Sequence, residues 1–402
     1  MHRFTRQILR PILFALLPLV LVACGSGSDE TDDYEYYELI SSTVYGEHSM
    51  IIADSGVTYT WGANGYGQLG IGNKLNHSTP ADVTGNFSAV AIGGAHSVGL
   101  DTDAGGEVWA WGHNSSGQLG DNTLITKTTP IQVLSADEIT PLTGIKAIAA
   151  GGKHTLAIAA DDTVVAWGSN TYGQLGNDSK TTSRLPVVVS GLTDVIAIAA
   201  GGEFSLALKS DGTVWAWGSN SKGQLGNDST VSSSVPVQVG GLTGHTITKI
   251  AAGGSHALAL VDDGTIFAWG YNEFGQLGDG TITTSKLPVA VVMTGTATAI
   301  SAGLDHSVAI IDGTVNAWGY NYYGQLGNGA VLQSHSAVKT LQTVQDQDGN
   351  PLANIQEIIA TGHHCIARDS NGDVWTWGRN THGQLGDGTT VSRSKAKVVS
   401  GL

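Results

Sequence analysis

Apolar and polar residues alternate along most of this chain, in short runs separated by glycine-containing turns. One stretch shows the full order of runs and turns: Ile247–Ala252, Gly253-Gly254, His256–Val261, Asp263-Gly264, Thr265–Gly270 and, after a longer loop, Leu287–Val291. Alternation with a period of two predicts half-buried strands. Asp-Gly between two such runs predicts a tight hairpin, because Gly readily adopts the positive φ that the turn requires. The stretch therefore predicts four consecutive strands.

A ten-residue motif, Trp-Gly-x-Asn-x-x-Gly-Gln-Leu-Gly, follows the third predicted strand. It occurs seven times without a change at any fixed position, beginning at Trp61, Trp111, Trp167, Trp217, Trp269, Trp318 and Trp377. Four short strands that repeat at about 50 residues are typical of a propeller blade. The sequence therefore predicts an all-β fold, a seven-bladed β-propeller, in which we expect each of these Trp side chains to pack between blades.

The two ends of the repeats suggest how the ring closes. The chain enters at Tyr37 with an innermost-type strand and leaves at Ala396–Val399 with an outermost-type strand. Open strand edges invite unwanted pairing, so closed rings protect them. We expect the C-terminal strand to complete the first blade.

Composition narrows the range of partners. The chain has 402 residues, 41% of them apolar, and a formal net charge of −15. Binding to a nucleic-acid backbone needs clustered Lys and Arg, and no basic stripe is present in the repeats. We therefore expect no nucleic-acid partner.

The first 24 residues have the order of an export signal. Arg3, Arg6 and Arg10 precede an apolar run, and the segment from Leu21 to Gly25 resembles the lipobox of bacterial lipoproteins, in which Cys24 would carry the lipid. The expected organisation is a signal peptide over 1–23, a lipidated Cys and flexible acidic tether over 24–36, and the propeller over 37–402. An ordinary signal peptide and a retained membrane anchor are the alternatives. The expected location is the cell envelope, at the outer membrane if the host is Gram-negative.

The motifs also carry a resemblance. Gly-Gly-x-His-Ser/Thr and Trp-Gly-x-Asn-x-x-Gly-Gln-Leu-Gly resemble the signatures of the regulator of chromosome condensation (RCC1) repeat family, over about Leu39 to Leu402. The resemblance implies a seven-bladed propeller, in agreement with the number of motifs.

Repeated histidines could suggest a metal centre. His48, His96, His154, His256, His306 and His364 share one repeat position, which Phe204 fills in the remaining blade. Equivalent positions in a ring are spread apart, whereas metal ligands converge on one ion. We interpret these histidines as structural, and Cys365, which stands where other blades have a small residue, as buried and inert.

Asp346–Asn350 lacks the spacing of a calcium loop and predicts a solvated turn. We expect no metal and no cofactor.

The free positions inside the seven motifs are the candidates for binding. They lie on one loop per blade and therefore on one face of the ring, and they include Tyr66, His113, Tyr172, Tyr271, Phe274, Tyr320, Tyr322, Tyr323, Arg379 and His382. Tyr, Phe and Arg are frequent in binding surfaces. We expect a contiguous aromatic surface on blades five to seven, with blade one beside them. The alternative is that these rings cover the loops of their own blades.

No catalytic arrangement is recognisable, so we expect a monomeric, non-enzymatic interaction module that binds an unidentified protein. A protein inhibitor of an extracytoplasmic enzyme is one alternative, because the RCC1-like family includes a secreted inhibitor of β-lactamases. Guanine-nucleotide exchange, the activity of the family's eukaryotic founder, is a second, which export from the cytosol disfavours. A glycan-binding or glycan-hydrolysing propeller is a third, disfavoured as a hydrolase because no carboxylate pair can be assigned.

Overall fold

The structure is a computed structural model and describes residues 37–38, 46–53, 55–331 and 337–402. These residues form 28 strands in seven antiparallel sheets of four strands each. Each sheet uses four consecutive strands, from the innermost to the outermost. The predicted fold, an all-β propeller of seven blades, is confirmed. Cys24 and the predicted signal and tether lie outside the described residues.

The first four blades have these strands, in chain order: β1 Tyr37–Glu38, β2 His48–Ala53, β3 Thr58–Gly62, β4 His77–Val83; β5 Ala89–Ile92, β6 His96–Asp101, β7 Glu107–Gly112, β8 Lys127–Gln132; β9 Ile145–Ala150, β10 His154–Ala159, β11 Val164–Gly168, β12 Ser183–Val188; β13 Val195–Ala200, β14 Phe204–Lys209, β15 Val214–Gly218, β16 Ser233–Gln238. The last three have β17 Ile247–Ala252, β18 His256–Val261, β19 Ile266–Gly270, β20 Ser285–Ala290; β21 Ala297–Ala302, β22 His306–Ile311, β23 Thr314–Gly319, β24 Val338–Thr343; and β25 Ile355–Ala360, β26 His364–Asp369, β27 Val374–Gly378, β28 Arg393–Val398.

The hydrophobic core is divided into seven clusters, each between two neighbouring blades. A two-sided sheet must bury both faces, and here each face packs on the next blade. The seventh blade packs on the first in the same way, since Ile366 and Val374 share a cluster with Ile51 and Trp61.

The expected closure by the C-terminal strand is wrong. Strand β28 pairs with β27 and completes the seventh blade, while the first blade has its own outer strand, β4. Side chains close the ring instead. The Trp61 indole N–H donates to the Gln384 carbonyl at 2.9 Å, and the Ser49 hydroxyl donates to the same carbonyl at 2.7 Å. Blade seven therefore meets blade one through the contacts used between the other blades.

The outermost strands are irregular at a fixed place. In every blade the ladder between the third and fourth strands shifts register opposite the motif Trp. In five blades a proline lies in this irregular segment: Pro80, Pro130, Pro186, Pro236 and Pro288. Proline cannot donate to a further strand, so it limits pairing at an exposed edge. Within the described part of the chain, no helical segment has the length and hydrophobicity needed to cross a bilayer.

Candidate functional site

Two connections of each blade lie on the same side of the ring, because successive strands are antiparallel. They are the turn between the first and second strands, which carries Gly-Gly-x-His in blades two, three and five, and the loop between the third and fourth strands, which carries the Trp motif in every blade. We call this side the loop face. Its repeated residues and its variable residues have different surroundings.

The repeated Trp side chains join neighbouring blades. Each indole N–H donates to the backbone carbonyl of the motif Gln in the preceding blade, at 2.9 to 3.0 Å. The motif glycines permit this approach. A Cβ on Gly70 would lie 2.7 Å from Nε1 of Trp111, and Gly70 has a φ of +73°. All seven Trp side chains are fully buried.

A second set of contacts joins the blades through histidine. His48 Nε2 lies 2.8 Å from Ser97 Oγ, which donates to the Gln68 carbonyl at 2.8 Å. Equivalent His-to-hydroxyl contacts occur at four other interfaces, and at a sixth His306 Nε2 lies 3.2 Å from the Cys365 thiol. Burial lowers the pKa of His48 to about 3 and raises that of the Cys365 thiol. We call these contacts the histidine belt.

At the interface between blades four and five, both residues of the histidine belt are replaced by apolar residues. Phe204 replaces His in blade four, and Ala257 replaces the hydroxyl residue in blade five. Both side chains are fully buried in one apolar cluster. A phenyl ring has no N–H to offer, so a hydroxyl opposite it is not needed as an acceptor. The sequence alone indicates this pairing, because Phe204 and Ala257, the two apolar residues at belt positions, stand in consecutive repeats.

Asn and Gln of the motif hold the loop between the third and fourth strands. Asn64 Oδ1 accepts the Leu69 N–H at 3.0 Å, and its Nδ2 donates to the Leu75 carbonyl at 2.9 Å. Gln68 Oε1 accepts the Tyr66 N–H at 2.9 Å. The bond from the Leu N–H to the Asn side chain is present in all seven blades. The free positions are therefore displayed on rigid loops.

Aromatic side chains on blades five to seven form one continuous group. We call it the aromatic cluster and define it by Tyr271, Phe274, Tyr320, Tyr322, Tyr323 and His363. Phe274 of blade five lies 4.9 Å, between ring centroids, from Tyr320 of blade six. Tyr323 lies 5.2 Å from His363 of blade seven. Tyr320 also contacts Tyr322, Tyr323 and His363, so it stands at the centre.

Cations flank the aromatic cluster at both ends. The Lys222 ammonium lies 4.6 Å from the Tyr271 ring centroid, and the Arg379 guanidinium lies 4.9 Å from that of Tyr323. Cations over aromatic faces are attracted by the ring quadrupole. Arg379 is also ion-paired with Glu47 of blade one, and His382 Nδ1 lies 3.0 Å from the same carboxylate. Glu47 is therefore the link between the cluster and blade one.

Burial differs strongly within the cluster. Tyr320 is only 9% exposed, whereas Tyr322 is 44% exposed. Burial raises the pKa of Asp305 to about 6. The negative charge of Asp305 in turn contributes to raising the pKa of Tyr271 and Tyr320. Tyr320 thus supports its neighbours, and Tyr322 is the side chain most available to a partner.

The remaining predicted residues lie apart from the cluster. Tyr66 and His113 form a pair of their own across blades one and two, with ring centroids 4.3 Å apart. Tyr172 is 40% exposed on blade three. Sequence reasoning missed Glu47, Asp305 and His363, which share one repeat position, the residue before the belt His. The sequence does indicate them, because the residue before the belt His differs from blade to blade, as the free positions of the Trp motif do.

The repeated histidines and the acidic turn at Asp346–Asn350 differ in their surroundings from metal sites. Among the described residues, no group of three or more His, Cys, Asp or Glu is placed to hold a metal ion. Asp346 Oδ1 accepts the N–H groups of Asp348 and Asn350, at 2.9 and 2.8 Å, in an exposed turn. The turn therefore uses its acidic side chain to bind its own backbone.

Comparisons with known proteins agree with the propeller geometry. The family model of the RCC1-like domain matches residues 136–402, and that of the regulator of chromosome condensation (RCC1) repeat matches 55–100 and 105–158. The chain is 29% identical to the ultraviolet-B receptor UVR8 of Arabidopsis thaliana over 91% of this chain and 71% of the receptor. It is 33% identical to the human E3 ubiquitin-protein ligase HERC2 over 87% of this chain, but it spans only 7% of that ligase.

Solved structures show the same fold. Human WBSCR16 superposes with a TM-score of 0.75 at 24% identity, over 86% of this chain and 94% of that one. Prp20p of Saccharomyces cerevisiae, described with its binding properties to Gsp1p and histones, superposes with a TM-score of 0.71 at 22% identity, over 93% and 90%. With seven motif-bearing blades and a family model matched over residues 136–402, the chain belongs to the RCC1-like domain family.

Proposed function

We propose that this protein is a non-enzymatic interaction module that binds a protein partner through the aromatic cluster. The observation that carries the proposal is the continuity of the cluster across three blades with a cation at each end. Aromatic side chains have two χ angles, so on a rigid support they lose little conformational entropy on binding. Prp20p offers a precedent for protein binding by this fold, since it is described as binding Gsp1p and histones and as a complex with Kap60.

The charge of the chain bears on the kind of partner. The net charge is −15, and Glu47, Glu273 and Asp305 lie in or beside the cluster. Complementary charge steers association and disfavours wrong partners. We therefore propose a partner whose contact surface combines apolar side chains with Lys or Arg.

The test uses the full chain and two exposed tyrosines. Tyr322→Ala removes an exposed ring of the cluster, and Tyr172→Ala removes a similarly exposed ring outside it. Cross-linking in the host, followed by affinity measurements on the recovered partner, should show at least tenfold weaker binding for Tyr322→Ala and unchanged binding for Tyr172→Ala. Equal binding of both variants and the parent chain would contradict the proposal.

We further propose that Cys24 carries a lipid that holds the protein at the cell envelope. The support is the sequence alone: the basic and apolar segments before the lipobox-like residues. Incorporation of an alkyne-tagged fatty acid into the chain, lost in Cys24→Ser, is the expected result. Labelling that persists in the variant, or none in the parent chain, would contradict the anchor and leave the aromatic-cluster test unaffected.

A further inference from the structure

The loop face has a second region that the proposed function does not use. A cavity of about 360 Å³ opens on blades one to four, on the other part of the ring from the aromatic cluster. The aromatic, polar and charged side chains that line it are Tyr66, His113, Lys153, Ser169, Gln174 and Glu203. Small-ligand sites of proteins begin at about 300 Å³, so this volume suffices for a small molecule.

Three consecutive turns contribute no side chain to the cavity at one shared position. Gly94, Gly152 and Gly202, each the second residue of a Gly-Gly pair in the turn before the second strand, line it. Blade six has Leu304 at this position, and a Cβ on the equivalent Gly254 of blade five would lie 2.9 Å from Leu304 Cδ1. A leucine therefore occupies the corresponding space beside the aromatic cluster, while it stays open on blades two to four.

Several polar groups of the cavity keep hydrogen-bonding capacity. Gln118 Nε2 lies 3.3 Å from His113 Nδ1, so a neutral imidazole that accepts there has its Nε2–H as a donor. Ser169 Oγ accepts from Gln174 Nε2 at 3.3 Å and retains its own hydroxyl hydrogen. Lys153 and Glu203 are exposed, and no ion pair within 4.0 Å joins them in the described part of the chain.

The opposite wall is aromatic. The Tyr66 ring is 48% exposed and tilts by 50° against His113. Burial and the nearby Lys153 charge lower the pKa of His113, which keeps its imidazole neutral at pH 7. The cavity thus combines the exposed aromatic ring of Tyr66 with polar donors and acceptors, among them one positive and one negative charge.

We propose that this cavity binds a neutral saccharide. Each sugar hydroxyl both donates and accepts, so a saccharide satisfies the ammonium, the carboxylate and the Ser169 hydroxyl together. The apolar C–H face of a pyranose ring packs on the aromatic wall. A free amino acid would use the two charges but not that wall, and the net charge of −15 disfavours an anion.

The experiment is a binding screen of the full chain. The probes are neutral mono- to trisaccharides that end in glucose, galactose, mannose or N-acetylglucosamine, with free amino acids and sugar phosphates as comparison probes. Calorimetry on the best saccharide should show one saturable site. Tyr66→Ala should weaken binding at least tenfold and Lys153→Met at least threefold, while Tyr172→Ala, at the same motif position in blade three, should leave it unchanged.

Three results would overturn the proposal: no saccharide bound by the folded chain, equal affinity of Tyr66→Ala and the parent chain, or preferred binding of an amino acid or a sugar phosphate. The proposal does not rest on the protein partner. Tyr322→Ala should leave saccharide affinity unchanged, so failure of one proposal is distinguishable from failure of the other.

Discussion

Six of the seven blade interfaces place a polar pair at the belt position, and the interface between blades four and five places an apolar pair there. At the six, an imidazole faces a hydroxyl or a thiol of the next blade. At the seventh, Phe204 faces the blade that carries Ala257. The position is fully buried in both cases. The belt position therefore accepts two polar residues or two apolar residues that face each other, and it does not require one particular residue type.

The two facing residues must match in polarity because both are fully buried, so no water can replace a missing hydrogen-bond partner. A hydrogen bond contributes about 0.5–1.5 kcal/mol net, whereas a buried donor without its acceptor costs about 1–3 kcal/mol. Removing both polar partners avoids that penalty. Phe204 and Ala257 are therefore expected to be coupled, and so are His48 and Ser97.

Acid should have the largest effect, because it acts on all six polar interfaces together. Burial lowers the pKa of His48, His96, His256 and His364 to about 3 and that of His154 to about 4, from 6.5. Between these values and pH 6.5 the unfolded chain binds protons that the folded chain excludes, so stability falls as pH falls. We expect a constant melting temperature above pH 7 and a steep fall from pH 6 to pH 4.

Asp305 opposes this trend but cannot reverse it. Its pKa is raised to about 6, so the folded chain binds this proton more readily than the unfolded chain does. Burial also raises the pKa of Glu203 and Asp373, so three carboxyl groups act against the six belt histidines. A variant with the apolar pair at a further interface, His48→Phe with Ser97→Ala, should lose up to about 1.4 kcal/mol less per pH unit in this window. An equal acid sensitivity of the variant and the parent chain would contradict the explanation.

Phe204→His should have the next largest effect. It places an imidazole N–H opposite the Ala257 methyl group and removes part of a buried apolar ring. We expect a loss of roughly 3 kcal/mol in the free energy of unfolding, from the unpaired donor and the lost apolar burial. Adding Ala257→Ser should recover at least about 1 kcal/mol, measured by denaturant unfolding as a double-mutant cycle. Additive effects would show that the two positions are independent.

The sequence predicts the blades well because each contains complete local information. Runs of period two and a motif beginning at Trp61 and its six equivalents recur in every blade, and Asp-Gly turns mark a hairpin in blades four to six, all without reference to distant residues. Closure is not local: an outermost-type strand fits the edge of any blade. The error could have been avoided by noting that His77–Val83 already supplies the outer strand of blade one.

The candidate site was predicted less completely, for a different reason. The motif positions of Tyr271, Tyr320 and Tyr323 indicate the loop face, but not how far each ring is buried. Tyr320 is covered by rings from blades five and seven, which only the assembled ring brings together. The empty space over Gly152 was equally invisible, because it depends on three neighbouring turns at once.

Ser97→Ala should have a smaller effect than Phe204→His, because no apolar ring is lost. The His48 Nε2–H loses its acceptor, while the Gln68 carbonyl keeps the Trp111 indole N–H at 2.9 Å. We expect a loss of about 1–3 kcal/mol. The double variant with His48→Phe should be more stable than Ser97→Ala alone. A double variant that is less stable would mean that the ring size of His48, and not its N–H, is what blade one requires.

Ala257→Ser alone should have the smallest effect, and it separates the two halves of each pair. At other interfaces the hydroxyl also donates to a motif Gln carbonyl, as Ser205 does to Gln174 at 2.9 Å and Ser307 to Gln276 at 2.8 Å. The Gln224 carbonyl of the preceding blade, which accepts the Trp269 indole N–H at 2.9 Å, is the equivalent acceptor for a serine at position 257. The new hydroxyl is therefore satisfied as a donor even with Phe204 present, and the stability should change by less than about 1 kcal/mol. A loss as large as that of Phe204→His would show that the hydroxyl is tolerated only when a histidine donates to it, which would make the imidazole the partner that decides each interface.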